Sequence, residues 1–464
     1  MTDRVAEETS ERGLFFGHPR GLLVLAATEL WERISFYGMQ TLLVLYMVDE
    51  LLRPGHVEKI VGFPGFRGGL EHLTGPLSTQ ALASQIFGLY VGLVALTPVL
   101  GGFLGDRLLG RRRSITLGAL LMTAGHFCMA FDQSFLLALL LLIAGAGFLR
   151  GNIIPQFGEL YSQEDRRRGI AFQIYGSMVN LGAFLAPLIT GALGQAFGWR
   201  IGFGFAGFGM LLGLVIYLSG QGVLPADRPR SGRVKAPPLD PAERRTVGFL
   251  MALAPLVALF WVAQSQIWNT YNLWVRDHVQ LKIGSFTVPV PWLQSLDGLA
   301  PFVLLPPVFL FWGWQAKRRA EPDEVGKIAI GCFIFSASTF WLAGAQFITD
   351  GAGKTPLIWP VVFHFASNLG WLYTVPSINA LASRVAPRAV NATMISFLTL
   401  AVTLGSFVSG RLGGLYETLP ASQFWALHAA AVGLGGVLVL IWGVFFARRA
   451  GGISFNPGEG GPQG

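Results

Sequence analysis

The segment TELWERISFYGM, residues 28–39, places Glu29, Glu32, Arg33, Phe36 and Tyr37 at positions i, i+3, i+4, i+7 and i+8. On an α-helix these side chains share one face. The surrounding stretch is otherwise largely apolar and long enough to cross a bilayer. An ionisable side chain inside a span costs roughly 2.5–3.5 kcal/mol on insertion scales, so three of them must pair and must face protein or a water-filled cavity. A carboxylate beside a guanidinium can bind and release a proton under electrostatic control, and the guanidinium can hold an anion. The competing reading is a buried ion-pair network with no further role.

Other polar positions inside apolar stretches are sparser. Asp297 lies about five residues into the stretch 292–314. It could cap the start of a helix, since Asp is a good N-cap, or face a central cavity. Gln264, Trp268, Tyr271 and Asn272 repeat at i, i+4, i+7 and i+8. That face could be a substrate wall or a set of interhelical hydrogen bonds. His126, His364 and His428 are single histidines within spans, and each reads as a satisfied packing residue rather than a proton carrier. Cys128 and Cys332 also sit in apolar segments, with neither metal-ligand spacing nor a disulfide pattern. No nucleophile–base pair, metal cluster or phosphate loop stands out, so the chain reads as neither an enzyme nor a metalloprotein.

The elements that must hold these residues follow from composition. Of 464 residues, 52% are hydrophobic and 13% charged, against about 25% charged in soluble domains. Apolar stretches near 22–51, 79–104, 114–131, 134–161, 168–195 and 201–219 form a first set of six. A second set lies near 246–274, 292–314, 326–347, 356–383, 390–415 and 422–447. The expectation is an all-α membrane protein with 12 transmembrane helices in two six-helix bundles, residues 1–220 and 246–464. The Pro-rich basic stretch 221–245 reads as the cytoplasmic linker between them. The net charge of +8 could suggest a nucleic-acid partner in a soluble protein. Here most of the 34 Lys and Arg residues fall in segments on one side of the 12-span topology. Positive-inside orientation then places both termini in the cytoplasm and the chain in the inner membrane, with the lipid bilayer and not nucleic acid as its partner. The polar segment Met1–Arg20 is not a signal peptide.

GGFLGDRLLGRRR, residues 101–113, puts Asp106, Arg107 and Arg111 in a compact charged latch between the second and third spans. Its order resembles the cytoplasmic signature loop of the major facilitator superfamily. TELWERISFYGM resembles the E-x-x-E-R helix of the proton-coupled oligopeptide transporter (POT/PTR) family within it. GAGFLRGN (145–152), ELYSQEDRRRGIAFQIY (159–175), NLGAFLAP (180–187) and GWRIGFGFAGFGMLLGLVIY (198–217) continue the resemblance over nearly all of residues 24–220. The second half matches at FWVAQSQ (260–266), VPWLQSLDGL (290–299) and PSINALASRVAP (376–387).

The resemblance implies a major facilitator fold and a secondary active, proton-coupled symporter of small peptides or peptide-like solutes. Such a carrier would work by alternating access, as a monomer, with the proton as coupling ion and no other cofactor. It places proton coupling on Glu29, Glu32 and Arg33, and substrate contacts on Arg33, Phe36, Tyr37, Arg150, Asn152 and Asn180. Tyr90 stands one turn from the family's helix 2 tyrosine position, here Ala95. Gln264, Trp268, Asp297 and Trp371 are the second-half candidates. This sequence departs from the family at working positions. The helix 4 lysine corresponds to Arg150, the helix 7 glutamate to Ser265, and the helix 10 glutamate to Trp371, while Asp297 replaces an asparagine. Arginine stays charged where lysine can titrate, so Arg150 would be a fixed cation. Asp297, the carboxylate gained, would pair with a substrate amine, or with a proton when the site is empty. The altered second half also leaves open a carrier of another anionic or modified amino-acid-like metabolite. A non-transporting sensor on the same scaffold is a further alternative.

Overall fold

The computed structural model describes residues 14–15, 17–162, 164–227, 238–318, 321–387 and 389–449. Most of the N-terminal segment read as no signal peptide, the middle of the linker at 228–237 and the C-terminal tail lie outside the described residues. The first six spans are α1 (Arg20–Tyr46), α3 (Thr79–Leu104), α4 (Arg111–Cys128), α5 (Phe135–Gly158), α6 (Arg167–Phe197) and α7 (Trp199–Ser219). A short helix, α2 (Phe63–Thr74), lies between α1 and α3. The seventh span is broken into α8 (Pro241–Gln266) and α9 (Thr270–His278). Then come α10 (Ser295–Lys317), α11 (Glu324–Thr349), α12 (Ile358–Val385), the pair α13 (Asn391–Leu398) and α14 (Leu400–Gly413), and α15 (Ala421–Arg449). With each broken pair taken as one span, the described residues form twelve.

Nine of these spans are apolar enough to cross a membrane on composition alone. The other three are α1, α4 and α12. Glu29, Glu32 and Arg33 lie within α1, three arginines open α4, and α12 holds His364 and Asn368. The spans that fall short of the hydropathy of the rest, α1 and α12 among them, thus hold buried ionisable side chains. Polar groups inside a span are tolerated where protein surrounds them.

Packing divides the chain into two compact units, Met1–Gly75 with Leu96–Arg233, and Pro76–Ala95 with Val234–Gly464. The boundary differs from the expected division at 220, because the first half of α3 groups with the second unit. Small residues explain this. A Cβ on Gly88 would lie 2.5 Å from the Ser406 carbonyl oxygen, so only glycine lets the two backbones approach so closely. The Gln80 amide donates to Gly413 O at 3.0 Å, and the Thr403 hydroxyl to Gly92 O at 3.1 Å.

The first unit is held by the same device. A Cβ on Gly101 would lie 2.0 Å from Gly147 O, so Gly147 and Gly151 of GAGFLRGN bring the backbones of α3 and α5 into direct contact. α4 turns off α3 at Gly110, where φ is 79° and a Cβ would strike the Asp227 carboxylate. In the second unit α8 starts on a capping box, with Asp240 accepting from Glu243 N and the Glu243 carboxylate accepting from Asp240 N.

The break at residues 267–269 changes the expected face of the seventh span. Gln264 stays half-buried on α8, while Tyr271 and Asn272 are fully buried on α9. The four residues therefore do not line one continuous helical stripe. The Gln294 amide donates to Ile267 O at 2.8 Å and satisfies a carbonyl at the break.

Candidate functional site

The ionisable face of α1 is built as its spacing requires. Arg33 Nε donates to Glu29 Oε1 at 2.7 Å, one turn back along the helix, and lies 2.9 Å from Glu32 Oε2. Arg150 comes across from α5. Its Nε and Nη2 both donate to Glu32 Oε1, at 3.0 and 2.8 Å. Both glutamate side chains are fully buried, and the arginines are 12% and 14% exposed. With both acids ionised, two carboxylates face two guanidinium groups and the cluster is neutral.

Phe36 fixes the arginines from below. The Arg150 guanidinium carbon sits 3.9 Å from the centre of its ring and that of Arg33 5.9 Å. Both are within cation–π range, and Arg150 is directly on the ring face. Tyr37 meets Phe36 edge to face at 5.2 Å. The helix that closes over Arg33 is α6. A Cβ on Gly182 would lie 2.4 Å from Arg33 Cβ, so the glycine of NLGAF makes room for the arginine.

Two residues near the cluster are not evident from spacing. Tyr175 on α6 is buried within electrostatic reach of Glu29, Arg33 and Glu32. His126 on α4 is fully buried within reach of Glu32, and neither ring nitrogen has a hydrogen-bond partner. Tyr175 lies in a stretch of recognisable sequence pattern. His126 reads as packing because nothing local links it to a carboxylate in α1.

Other candidates are placed differently. Asn152 was expected at the substrate, but its amide donates to Gly101 O at 3.0 Å and Phe148 O at 2.8 Å. It bonds α5 to α3. Asn180 is half-buried on α6, and Trp371 is half-buried on α12. Tyr90 is buried in the second unit, as is Trp268. Ser265, the position without the family's glutamate, shares a hydrogen bond with Ser406 at 3.0 Å. His428 has both ring nitrogens occupied, by Phe424 O at 2.8 Å and the Gln266 amide at 3.1 Å, as suits a packing residue.

Asp297 makes no cap bond at the start of α10. Its Oδ1 instead accepts from the Asn368 amide at 2.7 Å and meets His364 Nδ1 at 2.8 Å. His364 is fully buried and does not stand alone. It is the buried partner of a carboxylate 67 positions earlier in the chain.

The latch also gains members. Arg111 pairs with Asp106 at 3.4 Å and with Glu159 at the end of α5. Asp227 sits on the first turn of α4, accepting from the backbone N–H groups of Arg111 and Arg112 at 2.9 and 3.2 Å. An acid at a helix start is favoured there by the dipole. It comes from the linker and not from Asp106. Arg107 lies over the Phe103 ring at 4.3 Å.

A bundle of this topology, with paired charges buried in its first span, defines a membrane carrier. The sequence profile of the Major Facilitator Superfamily matches residues 34–410, and the chain belongs to that superfamily. Within it, the similarity is to the proton-coupled oligopeptide transporters, the POT family. The chain is 28% identical to the uncharacterized transporter YclF of Bacillus subtilis (strain 168), over 95% of this chain and 96% of that protein. It is 26% identical to a di-/tripeptide transporter of Lactococcus lactis subsp. cremoris, over 92% and 95%. The crystal structure of a glutamate-to-glutamine mutant of peptide transporter POT in complex with alafosfalin superposes with a TM-score of 0.80. That match has 27% identity and covers 94% and 96% of the two chains.

Proposed function

We propose that this chain moves short peptides or peptide-like acids across the bacterial plasma membrane by alternating access, driven by a proton gradient. Both termini lie in the cytoplasm and the chain works as a monomer. One observation carries the reading, namely a fully buried Glu32 held between Arg33 and Arg150. Protonating Glu32 makes the neutral cluster net positive and releases Arg150 from its carboxylate. The freed guanidinium then takes a substrate carboxylate, which is the same chemical group it has just left. Arg33, Phe36 and Tyr37 complete that end of the site. Homology supports the substrate class, since one relative is named for di- and tripeptides and one similar structure holds alafosfalin. The proton is the only coupling agent invoked.

The loss of carboxylates at Ser265 and Trp371 favours a second reading, a carrier of other amino-acid-like anions on the same scaffold. One experiment separates them. Purified protein is screened for thermal stabilisation by dipeptides, amino acids and peptide-like acids, and hits are tested for uptake into proteoliposomes with and without a pH gradient. Stabilisation and gradient-dependent uptake of dipeptides support the first reading. Uptake of single amino acids or other acids, but no peptide, replaces it with the second. Uptake that ignores the gradient removes proton coupling.

A further inference from the structure

The second unit holds one ionisable cluster inside its spans that the reading above does not use. Asp297 in the first turns of α10 is 10% exposed, and His364 on α12 is fully buried. Oδ1 of Asp297 accepts from the Asn368 amide and faces His364 Nδ1, while the same amide also bonds His364 O at 2.9 Å. Tyr271 meets the imidazole edge to face at 5.1 Å and stacks on Phe363 at 5.4 Å, which holds the ring. Three polar atoms remain buried with no protein hydrogen-bond partner, namely Asp297 Oδ2, His364 Nε2 and the Tyr271 hydroxyl oxygen.

Charge distinguishes this cluster from the one on α1. Glu32 has two arginines, so the α1 cluster is neutral without any added proton. Asp297 forms no ion pair with a lysine or arginine among the described residues. Ionised Asp297 beside a neutral imidazole is therefore a buried site of net charge −1. Such a site is costly inside a span unless something cationic enters. The elements packed on α12 bring few other titratable groups. α9 contributes Tyr271 and α10 contributes Asp297. α11 contributes Cys332, which lies further along at Thr374, and at its start Glu324, which pairs with Arg384 at the far end of α12, and Lys327, which pairs with Glu321. α13 carries none.

We propose that Asp297 and His364 form a second proton-binding site, on the second unit, for the transport cycle. The inference rests on the proton-driven reading above. With Oδ1 as acceptor, His364 Nδ1 is the donor and Nε2 carries the lone pair. An entering proton forms a bond to Nε2, giving an imidazolium–carboxylate pair of zero net charge. The same N–H bond breaks when the proton leaves. Asn368 and Tyr271 position the pair. The chain thereby carries a titratable group in the half where the family's glutamate positions hold Ser265 and Trp371. The geometry points to a site on each unit.

Two measurements test this. In substrate-free protein in lipid nanodiscs, labelled with ¹⁵N-histidine, the His364 Nε2 signal is identified by its loss in His364→Asn. It should shift as the buffer is acidified, and Asp297→Asn should change the pH at which it does so, since the carboxylate is the ring's hydrogen-bond partner. A signal that does not titrate, or a midpoint unmoved by Asp297→Asn, overturns the proposal. This arm needs no substrate, so it stands even if peptide transport fails. The second arm measures the equilibrium accumulation of dialanine in proteoliposomes at a fixed pH gradient. Each coupled proton contributes about tenfold per pH unit. Asp297→Asn and His364→Asn should each cut the ratio about tenfold per unit, and the double variant should cut it no further. The ratio is an equilibrium quantity, so slow turnover does not imitate the loss. Ratios equal to wild type in both variants overturn the proposal. Should His364→Asn not fold, Asn368→Ala serves in its place. It loosens the pair without removing either titrating group and should shift the midpoint while leaving the ratio at its wild-type value. An unshifted midpoint there counts against the proposal.

Discussion

Arg150 reaches Glu32 with two N–H groups that converge on one carboxylate oxygen, Oε1, while Oε2 lies 2.9 Å from Arg33 Nε. Each oxygen of Glu32 thus answers to a different arginine. A single proton added to this carboxylate weakens both contacts together.

Arg150→Lys tests the anchor. A lysine ammonium is a point charge and cannot place two fixed donors on one group while lying flat on Phe36. Loss of one charge-assisted hydrogen bond is worth about 1.5–3 kcal/mol, so affinity for a carboxylate ligand should fall roughly 10- to 100-fold. Calorimetry on the stabilising ligand measures this, and unchanged affinity would remove Arg150 from the binding step.

Glu32→Gln tests the coupling at α1. Glutamine keeps the shape but cannot exchange a proton. Gradient-driven uptake in proteoliposomes should fall sharply while counterflow exchange persists. Full gradient-driven uptake would place the driving proton elsewhere, with Asp297 and His364 next in line.

Phe36→Leu removes the ring under Arg150 and retains an apolar side chain. The cation–π contact contributes about 0.5–2 kcal/mol, the upper end applying when it is desolvated as here. The variant should melt a few degrees lower and bind ligand a few-fold more weakly. A variant as stable and as tight as wild type would make the 3.9 Å contact incidental.

Gly182→Val tests how α6 seats against α1. A Cβ at this position already falls 2.4 Å from Arg33 Cβ. Overpacking of this kind costs about 1–3 kcal/mol, and here it also displaces Arg33. Thermal stability and ligand affinity should both drop. Loss of stability without loss of affinity would separate packing from site geometry.

Orientation has its own test. Reporter fusions at residues 65 and 232 should land on opposite sides of the membrane, and a shared location would reject the twelve-span arrangement.

What could be read in advance depended on how far apart the partners lie. Glu29 and Arg33 are one turn apart, so their pairing follows from helical spacing alone. Arg150 was legible because glycines surround it in a recognisable pattern, and those glycines are the crossing with α3 at Gly101. Asp297 and His364 share no pattern, since a hydrogen bond between two helices leaves no period in the sequence. Asn152 is the converse case. It sits two residues from Arg150 yet points toward α3, because neighbours on a helix face directions about 100° apart per residue. The break before Thr270 carries no glycine or proline to announce it. The neighbouring Gln294, which accommodates the break, lies in another element.

The 118 positions separating Glu32 from Arg150 also impose an order in time. At roughly 5–20 residues per second of synthesis, α1 waits on the order of ten seconds before its compensating arginine exists. During that interval it holds two carboxylates and one guanidinium, and it is not among the spans apolar enough to be retained by lipid on composition alone. The nascent chain therefore needs a sheltered place for its first helix until α5 arrives. Pulse-labelled ribosome-bound chains cut before residue 150 should show α1 still accessible to crosslinking from the insertion machinery. Chains extended past α5 should have released it. The same buried charges thus make birth of this protein the moment at which its first helix is least at home in the membrane.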